Sequence, residues 1–340
     1  MLLVRQGEEN VSQNEILRVE HLRKYFPVEK SFLEKTLTRT RHFVRSVDDV
    51  SFSVFRGEIF TLAGESGCGK TTTGKLVVRL IPPTSGRIYF NNVDITRLEH
   101  EPLRILKRKM QIIFQDPYAS FSPRMKIGAA VSQPLEIYGL ATRDERRKMV
   151  LEILDRVGLT PAERFLDLYP HQMSGGQRQR AAMARSLVLQ PEFIVADEPV
   201  SMIDVSLRTA MIDLLLGLKN DYGLTYFFIT HDLAVAKYIS DRIAVMYLGK
   251  IVELGYKNTI FSSPLHPYTK ALLGAIPVPI PERKRKPTEL IGEVPSAINI
   301  PSGCRFHTRC RYAEEACKEK EPELIQISPD HYVACNRASS

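Results

Sequence analysis

The stretch Ile59-Phe-Thr-Leu-Ala63-Gly64-Glu65-Ser66-Gly67-Cys68-Gly69-Lys70-Thr71-Thr72 decides the fold. Ile59 to Ala63 is a short apolar run of the kind that forms a buried strand. It runs into glycines spaced G-x-x-x-x-G-K-T, and Thr72 to Leu80 reads as the helix that follows, stopped by Pro82-Pro83. Strand, glycine loop and helix in that order form the context that a phosphate-cradling loop requires. The glycines let successive backbone N–H groups turn inward around phosphate oxygens. The helix N-terminus adds partial positive charge. Lys70 then reaches the outer phosphates, and the Thr71 hydroxyl can ligate Mg²⁺.

A second apolar strand ends in acid: Phe193-Ile-Val-Ala-Asp197-Glu198-Pro199. Downstream of a phosphate loop, this places the Asp197 carboxylate beside Mg²⁺ and leaves Glu198 to polarise an attacking water as general base. No N-K-x-D guanine-reading motif is present. Adenine held by stacking is therefore the better expectation. Met173-Ser174-Gly175-Gly176-Gln177-Arg-Gln-Arg180 precedes the acidic strand, and the Ser174 to Gln177 spacing is a helix capping box.

Strand candidates alternate with helices around these motifs. Residues 16–22 alternate loosely and read as an edge strand; Val50 to Phe55 and Gly86 to Phe90 read as further strands. Residues 27–45 are basic and read as a loop or extended hairpin. Residues 99–190 are largely helical in composition, with helices over Arg143 to Val157 and Gln177 to Gln190. Tyr226 to Thr230 and Ile243 to Tyr247 are again apolar runs. The pattern implies a mainly parallel α/β sheet. Prolines crowd residues 264–301 around the basic run Arg283-Lys284-Arg285-Lys286, which reads as a linker or irregular arm.

The chain has 340 residues, 44% hydrophobic and 25% charged, ordinary for a globular protein. Lys and Arg number 47 against 39 Asp and Glu, a net charge of +8. That mild excess suits nucleotides or an anionic surface, and no aromatic-interleaved basic motif argues for RNA. No apolar run approaches the roughly 18 residues of a spanning helix, and the first ten residues lack the apolar core of a signal peptide. A cytosolic chain is expected, with any membrane role acting through a partner. Of five cysteines, Cys304, Cys310, Cys317 and Cys335 cluster near the end, which in the cytosol points to metal rather than disulfides.

S-G-G-Q just ahead of the acidic strand resembles the signature of ATP-binding cassette (ABC) ATPases. The resemblance implies an α/β P-loop NTPase fold with a RecA-like core, an antiparallel β subdomain and a helical subdomain. It implies that Ser174, Gly175, Gly176 and Gln177 cap the γ-phosphate of ATP held by a partner's P-loop in a head-to-tail dimer. Gln115, after the apolar strand Met110 to Phe114, matches the Q-loop glutamine that links the Mg²⁺ site to membrane subunits. Ser201-Met202-Ile203-Asp204 matches the D-loop, usually S-A-L-D, with bulkier residues at its centre. His231, after Tyr226 to Thr230, matches the switch histidine at the γ-phosphate. ATP is thus expected on Gly64 to Thr72, Mg²⁺ on Thr71, Gln115 and Asp197, and catalysis from Glu198, His231 and Gln115. Phe26 is the expected adenine-stacking ring, with Tyr25 second.

Gln115-Asp-Pro-Tyr-Ala-Ser-Phe-Ser-Pro-Arg124, His231-Asp-Leu-Ala-Val-Ala and Pro264-Leu-His-Pro-Tyr-Thr-Lys resemble the dipeptide/oligopeptide importer ATPases, over residues 15 to 336. The resemblance implies a cassette over 15–262, with its helical subdomain at about 99–182, and a C-terminal extension over 263–340. It implies a second ABC ATPase as heterodimer partner, this chain being the S-G-G-Q rather than the S-G-G-M member. Two permeases and an extracytoplasmic solute-binding protein complete the complex, at the cytoplasmic face of the membrane. The solute of such relatives is a dipeptide, an oligopeptide, nickel or an oligosaccharide. The four cysteines are implied to hold a [4Fe-4S] cluster; the alternative is tetrahedral Zn²⁺, which four thiolates also suit. A DNA-repair cassette would carry a long coiled coil between its motif halves, and no sustained heptads occur here.

Overall fold

A computed structural model describes residues 14–28, 42–276 and 292–338. Most of the expected 27–45 loop and the basic run Arg283–Lys286 lie outside the described residues. In chain order the strands are β1 (Glu15–Pro27), β2 (Phe43–Phe55), β3 (Ile59–Ala63), β4 (Ser85–Phe90), β5 (Val93–Asp94) and β6 (Met110–Ile113). They continue with β7 (Phe193–Asp197), β8 (Thr225–Thr230), β9 (Arg242–Tyr247), β10 (Lys250–Tyr256), β11 (Ile325–Ser328) and β12 (His331–Val333). The chain divides into two compact units.

The first unit comprises the described parts of Met1–Phe55, Ile59–Arg97 and Ile229–Ser340. It holds an antiparallel sheet in the order β2-β1-β4-β5. The edge position expected for residues 16–22 is corrected here: β1 lies between β2 and β4 and pairs with both. Its alternation reports one buried face, with Leu17, Val19 and Leu22 inside. Alternation says which face is wet and nothing about which backbone edge is free. Beside this sheet, β3 is buried along its whole length and pairs in parallel with β9. The β9–β10 hairpin turns on Leu248 and Gly249, both at positive φ, the backbone that matches the twist of paired strands.

The extension is more regular than its composition suggests. β12 pairs antiparallel with β10, and β11 with β12. Strands of four and three residues leave too short a periodicity to be read from sequence. The join is polar. Glu253 on β10 is fully buried and accepts hydrogen bonds from the amides of Leu265 (2.7 Å) and His266 (3.0 Å). His331 Nε2 lies 2.8 Å from the same carboxylate. These contacts fix the Pro264-Leu-His-Pro-Tyr segment. His266 caps the Pro267–Gly274 helix, its Nδ1 accepting from the Tyr268 amide at 3.1 Å, and Pro267 takes the first helical position.

The second unit comprises Arg56–Glu58 and Leu98–Phe228. β6 and β7 pair in parallel within it. Helices Ile127–Ile137, Arg143–Arg156 and Gly175–Leu187 pack together. Arg143–Arg156 starts on a Thr142/Glu145 capping box and buries Val150, Ile153 and Leu154, one stripe of its surface. The helix expected to run to Gln190 ends at Leu187, and Gln190 turns left-handed before Pro191. Among the described residues, no helix is long and apolar enough to cross a membrane.

Burial lowers His266 to about 3, with Lys270 adding to the shift. Folded His266 stays neutral while the unfolded chain takes up a proton near pH 6.5. Its contribution is therefore complete above that pH and is lost as pH falls toward 3, by up to about 1.4 kcal/mol per unit. His266→Asn, which keeps a capping side chain but cannot titrate, should flatten the fall of melting temperature between pH 7 and pH 5. Thermal melts of both proteins across that range check this.

Candidate active site

The glycine loop leaves β3 at Ala63 and enters the Lys70–Val77 helix through Gly69. Gly64, Gly67 and Gly69 all sit at positive φ. At two of them the need for glycine is also steric. A Cβ on Gly64 would overlap the Met246 carbonyl oxygen, and one on Gly69 that of Ser46. The loop is thus pressed against β9 and β2. Lys70 is only 5% exposed. Its Nζ donates to the Gly64 and Glu65 carbonyl oxygens, both at 2.8 Å, so the ammonium sits within the loop's curve. Ser66 and Gly67 are exposed at the crest, while Cys68 is buried and its thiol raised by desolvation. Thr71 is half-buried; Thr72 accepts from Ser46 Oγ at 2.8 Å.

In the same unit, Tyr25 and Phe26 separate clearly. The Tyr25 hydroxyl donates to Asp48, and burial followed by Asp48 pushes it up to about 12. Burial opposes ionisation of Asp48, but hydrogen bonds from Tyr25 and Arg305 hold its carboxyl below the usual range. Phe26 keeps its ring exposed, with Lys24 Nζ 5.1 Å from the centroid. His231 is exposed just after β8, ahead of the Leu233–Ile239 helix that Asp232 caps.

In the second unit, the acids stand where the sequence suggests. Asp197 closes β7 at 3% exposure, a hard oxygen donor at a strand end. Glu198 adopts a left-handed backbone, φ 45°, which is uncommon outside glycine and clusters at functional sites. Gln115 Nε2 donates to Glu198 Oε2 at 2.9 Å, joining residues 83 apart in sequence. Ser174 caps its helix as the spacing predicts: the Gln177 amide donates to Ser174 Oγ at 3.3 Å, and Ser174 N–H to Gln177 Oε1 at 3.0 Å. Gly175 and Gly176 lie near Met202 and Leu207, and Asp204 is exposed at the start of the Val205–Tyr222 helix.

Arg178 is a residue the sequence did not single out. Buried beside the signature, it donates to the Pro170 and Met173 carbonyls and to the Tyr118 hydroxyl, with its guanidinium 3.5 Å from the Tyr118 ring centroid. Arg185 donates to the Ser120 carbonyl. The segment after Gln115 is thereby fastened to the signature helix.

Cys304, Cys310, Cys317 and Cys335 all border one cavity of about 20 Å³. The Cys304 amide donates to the Cys317 carbonyl at 2.8 Å. Burial pushes the Cys304 thiol up to about 11; the Phe306 amide opposes this, and the other three thiols add to it. Four cysteines around one void are the donor type of a thiolate-held metal. Among the described residues, no three Cys, His, Asp or Glu side chains are drawn together as a metal-holding group.

The family described as ABC transporter matches residues 47–201, and that described as oligopeptide/dipeptide transporter, C-terminal region, matches residues 252–317. The oligopeptide transport ATP-binding protein AppF of Bacillus subtilis is 46% identical over 328 residues, 96% of this chain and 98% of that protein. This chain belongs to the ABC transporter ATPase family. The dipeptide transport ATP-binding protein DppF of Haemophilus influenzae is 46% identical over 314 residues, 92% of this chain and 94% of that one. The dimeric cassette MJ0796, solved in a post-hydrolysis state with ADP and Pi, shares 28% identity and a TM-score of 0.62, covering 71% of this chain and 98% of its own. The antiparallel sheet, the strands around the phosphate loop and the helical unit are the parts of an ABC ATPase, an enzyme that binds and hydrolyses ATP.

The glycine geometry gives a sharp contrast. Gly69→Ala should lower the melting temperature of the nucleotide-free chain by at least about 5 °C more than Gly67→Ala, because only the first adds a clash to the left-handed strain of about 1–2 kcal/mol. Differential scanning fluorimetry of the two variants checks it.

Proposed function

We propose that this chain energises the import of dipeptides or oligopeptides, as the S-G-G-Q member of a pair of ABC ATPases docked on two permeases. The observation that carries the catalytic reading is the Gln115–Glu198 hydrogen bond. It puts the proposed water-polarising carboxylate in contact with the side chain that follows β6, so a pull on that segment reaches the base directly. The peptide reading is supported by the match of the C-terminal region and by relatives named for peptide transport. A solute-binding protein delivers the peptide, and the assembly holds the chain at the cytoplasmic face of the membrane.

Each residue has a proposed task. Lys70 and the amides from Gly64 to Thr72 take up the phosphate charge, and the exposed Phe26 ring stacks on adenine. Bound Mg²⁺, held by Thr71, Asp197 and Gln115, would neutralise charge on the β- and γ-phosphates. Glu198 accepts the proton of the attacking water, and His231 contacts the γ-phosphate. Ser174, Gly175, Gly176 and Gln177 present a capped helix start to ATP on the partner ATPase, with Asp204 at the same dimer face. ATP binding closes the dimer, and hydrolysis reopens it. The cassette of 15–262 carries this cycle, and the extension of 263–340 carries the four-cysteine site. That site is proposed to hold a [4Fe-4S] cluster, with Zn²⁺ as the alternative. Metal there would cross-link the segments bearing Cys304, Cys310, Cys317 and Cys335 and neutralise their thiolates.

Glu198→Gln in the assembled transporter should bind MgATP as wild type does and hydrolyse it at least about 100-fold more slowly. Unchanged turnover would refute the assignment. Anaerobically purified wild type should carry iron with visible charge-transfer absorption, and Cys310→Ser should lose both. Zinc without iron selects the alternative, and neither metal removes the site.

A further inference from the structure

The cysteine-bearing segment reaches the phosphate loop. Arg309, one residue before Cys310, is 6% exposed. Its guanidinium grips the Glu65 carboxylate with both arms, Nη1 to Oε2 at 2.7 Å and Nη2 to Oε1 at 3.2 Å. The Glu65 main chain is held as well, its amide donating to the Tyr268 hydroxyl at 3.0 Å. Tyr268 is itself fully buried among aromatics, its ring 4.7 Å from Tyr247 and 5.4 Å from Phe306. The Glu65 carbonyl, in turn, accepts from Lys70. One loop residue thus joins the phosphate-binding lysine to two residues from beyond position 262.

A loop with glycine at 64, 67 and 69 has more conformational freedom to lose than any other kind of segment. Holding it in one shape before the nucleotide arrives removes that ordering cost from binding. A bidentate guanidinium–carboxylate pair fixes direction as well as distance, and a lysine in its place would not. We propose that Arg309 and Tyr268 are positioning residues for ATP binding: they clamp Glu65 so that the phosphate loop is held in its binding shape. The inference rests on the phosphate-loop reading above. It assigns the extension a task in nucleotide affinity that does not depend on which metal, if any, the cysteines hold. Neither residue touches the reacting atoms.

The test is a double-mutant cycle in the full-length chain within the purified transporter, with Arg309→Lys, Glu65→Gln and the pair. MgATP binding, ATP-dependent turnover, metal content and hydrogen exchange of residues 64–70 without nucleotide are measured. Each single variant should weaken ATP binding about 5- to 10-fold and raise exchange in the loop, and the double variant should be no worse than the weaker single. Arg309→Lys should raise the KM for ATP with kcat changed less than about twofold. Tyr268→Phe, which keeps the ring and removes only the hydroxyl, should raise loop exchange at unchanged melting temperature. Wild-type affinity in both singles, multiplying effects in the pair, or a fall in kcat at constant KM would overturn the clamp. A wild-type chain that binds no MgATP would overturn the phosphate-loop reading instead.

Discussion

A buried ammonium inside a tight backbone curve is the constraint on which the first unit depends. Lys70 is 5% exposed, and a charge at that depth is tolerable only when its donors are satisfied. The Gly64 and Glu65 carbonyls satisfy them, and they can do so only because the chain doubles back between β3 and the helix. That reversal in turn demands bare backbone where the loop meets Met246 and Ser46. Three glycines, two neighbouring strands and one lysine are therefore a single arrangement. A phosphate would meet the opposite ends of the peptide dipoles, the amide N–H groups of the same loop.

The local half of this was legible in the sequence. A buried strand, a glycine spacing and a helix start are neighbours along the chain, and so are Ser174 and Gln177, whose reciprocal bonds follow from a three-residue offset. The rest depends on contacts with no local signature. Gln115 meets Glu198 across 83 positions and Arg309 meets Glu65 across 244. Arg178 looks like one more surface arginine until the Tyr118 ring is placed under it. The edge reading of β1 failed because side-chain alternation carries information about faces only. The sequence puts Phe26 ahead of Tyr25 for stacking without showing how the two differ; in the fold Asp48 engages the Tyr25 hydroxyl while the Phe26 ring stays exposed.

The C-terminal extension is built in through polar joints. Glu253 gathers the Leu265 and His266 amides, Arg305 donates to Asp48 and the Leu248 carbonyl, and Arg309 holds Glu65. Such buried pairs add little over apolar packing, yet losing one partner strands the other charge at a cost of about 3–5 kcal/mol. They specify one docking geometry rather than a merely adherent tail.

The most direct test of the central claim is to purify the transporter through this chain from native membranes and measure ATP hydrolysis in proteoliposomes with and without peptide-loaded binding protein. The account predicts that two permeases and a second ABC ATPase accompany the chain, and that peptide-loaded binding protein accelerates hydrolysis and drives uptake. Recovery without permeases, or hydrolysis indifferent to any peptide, would contradict it.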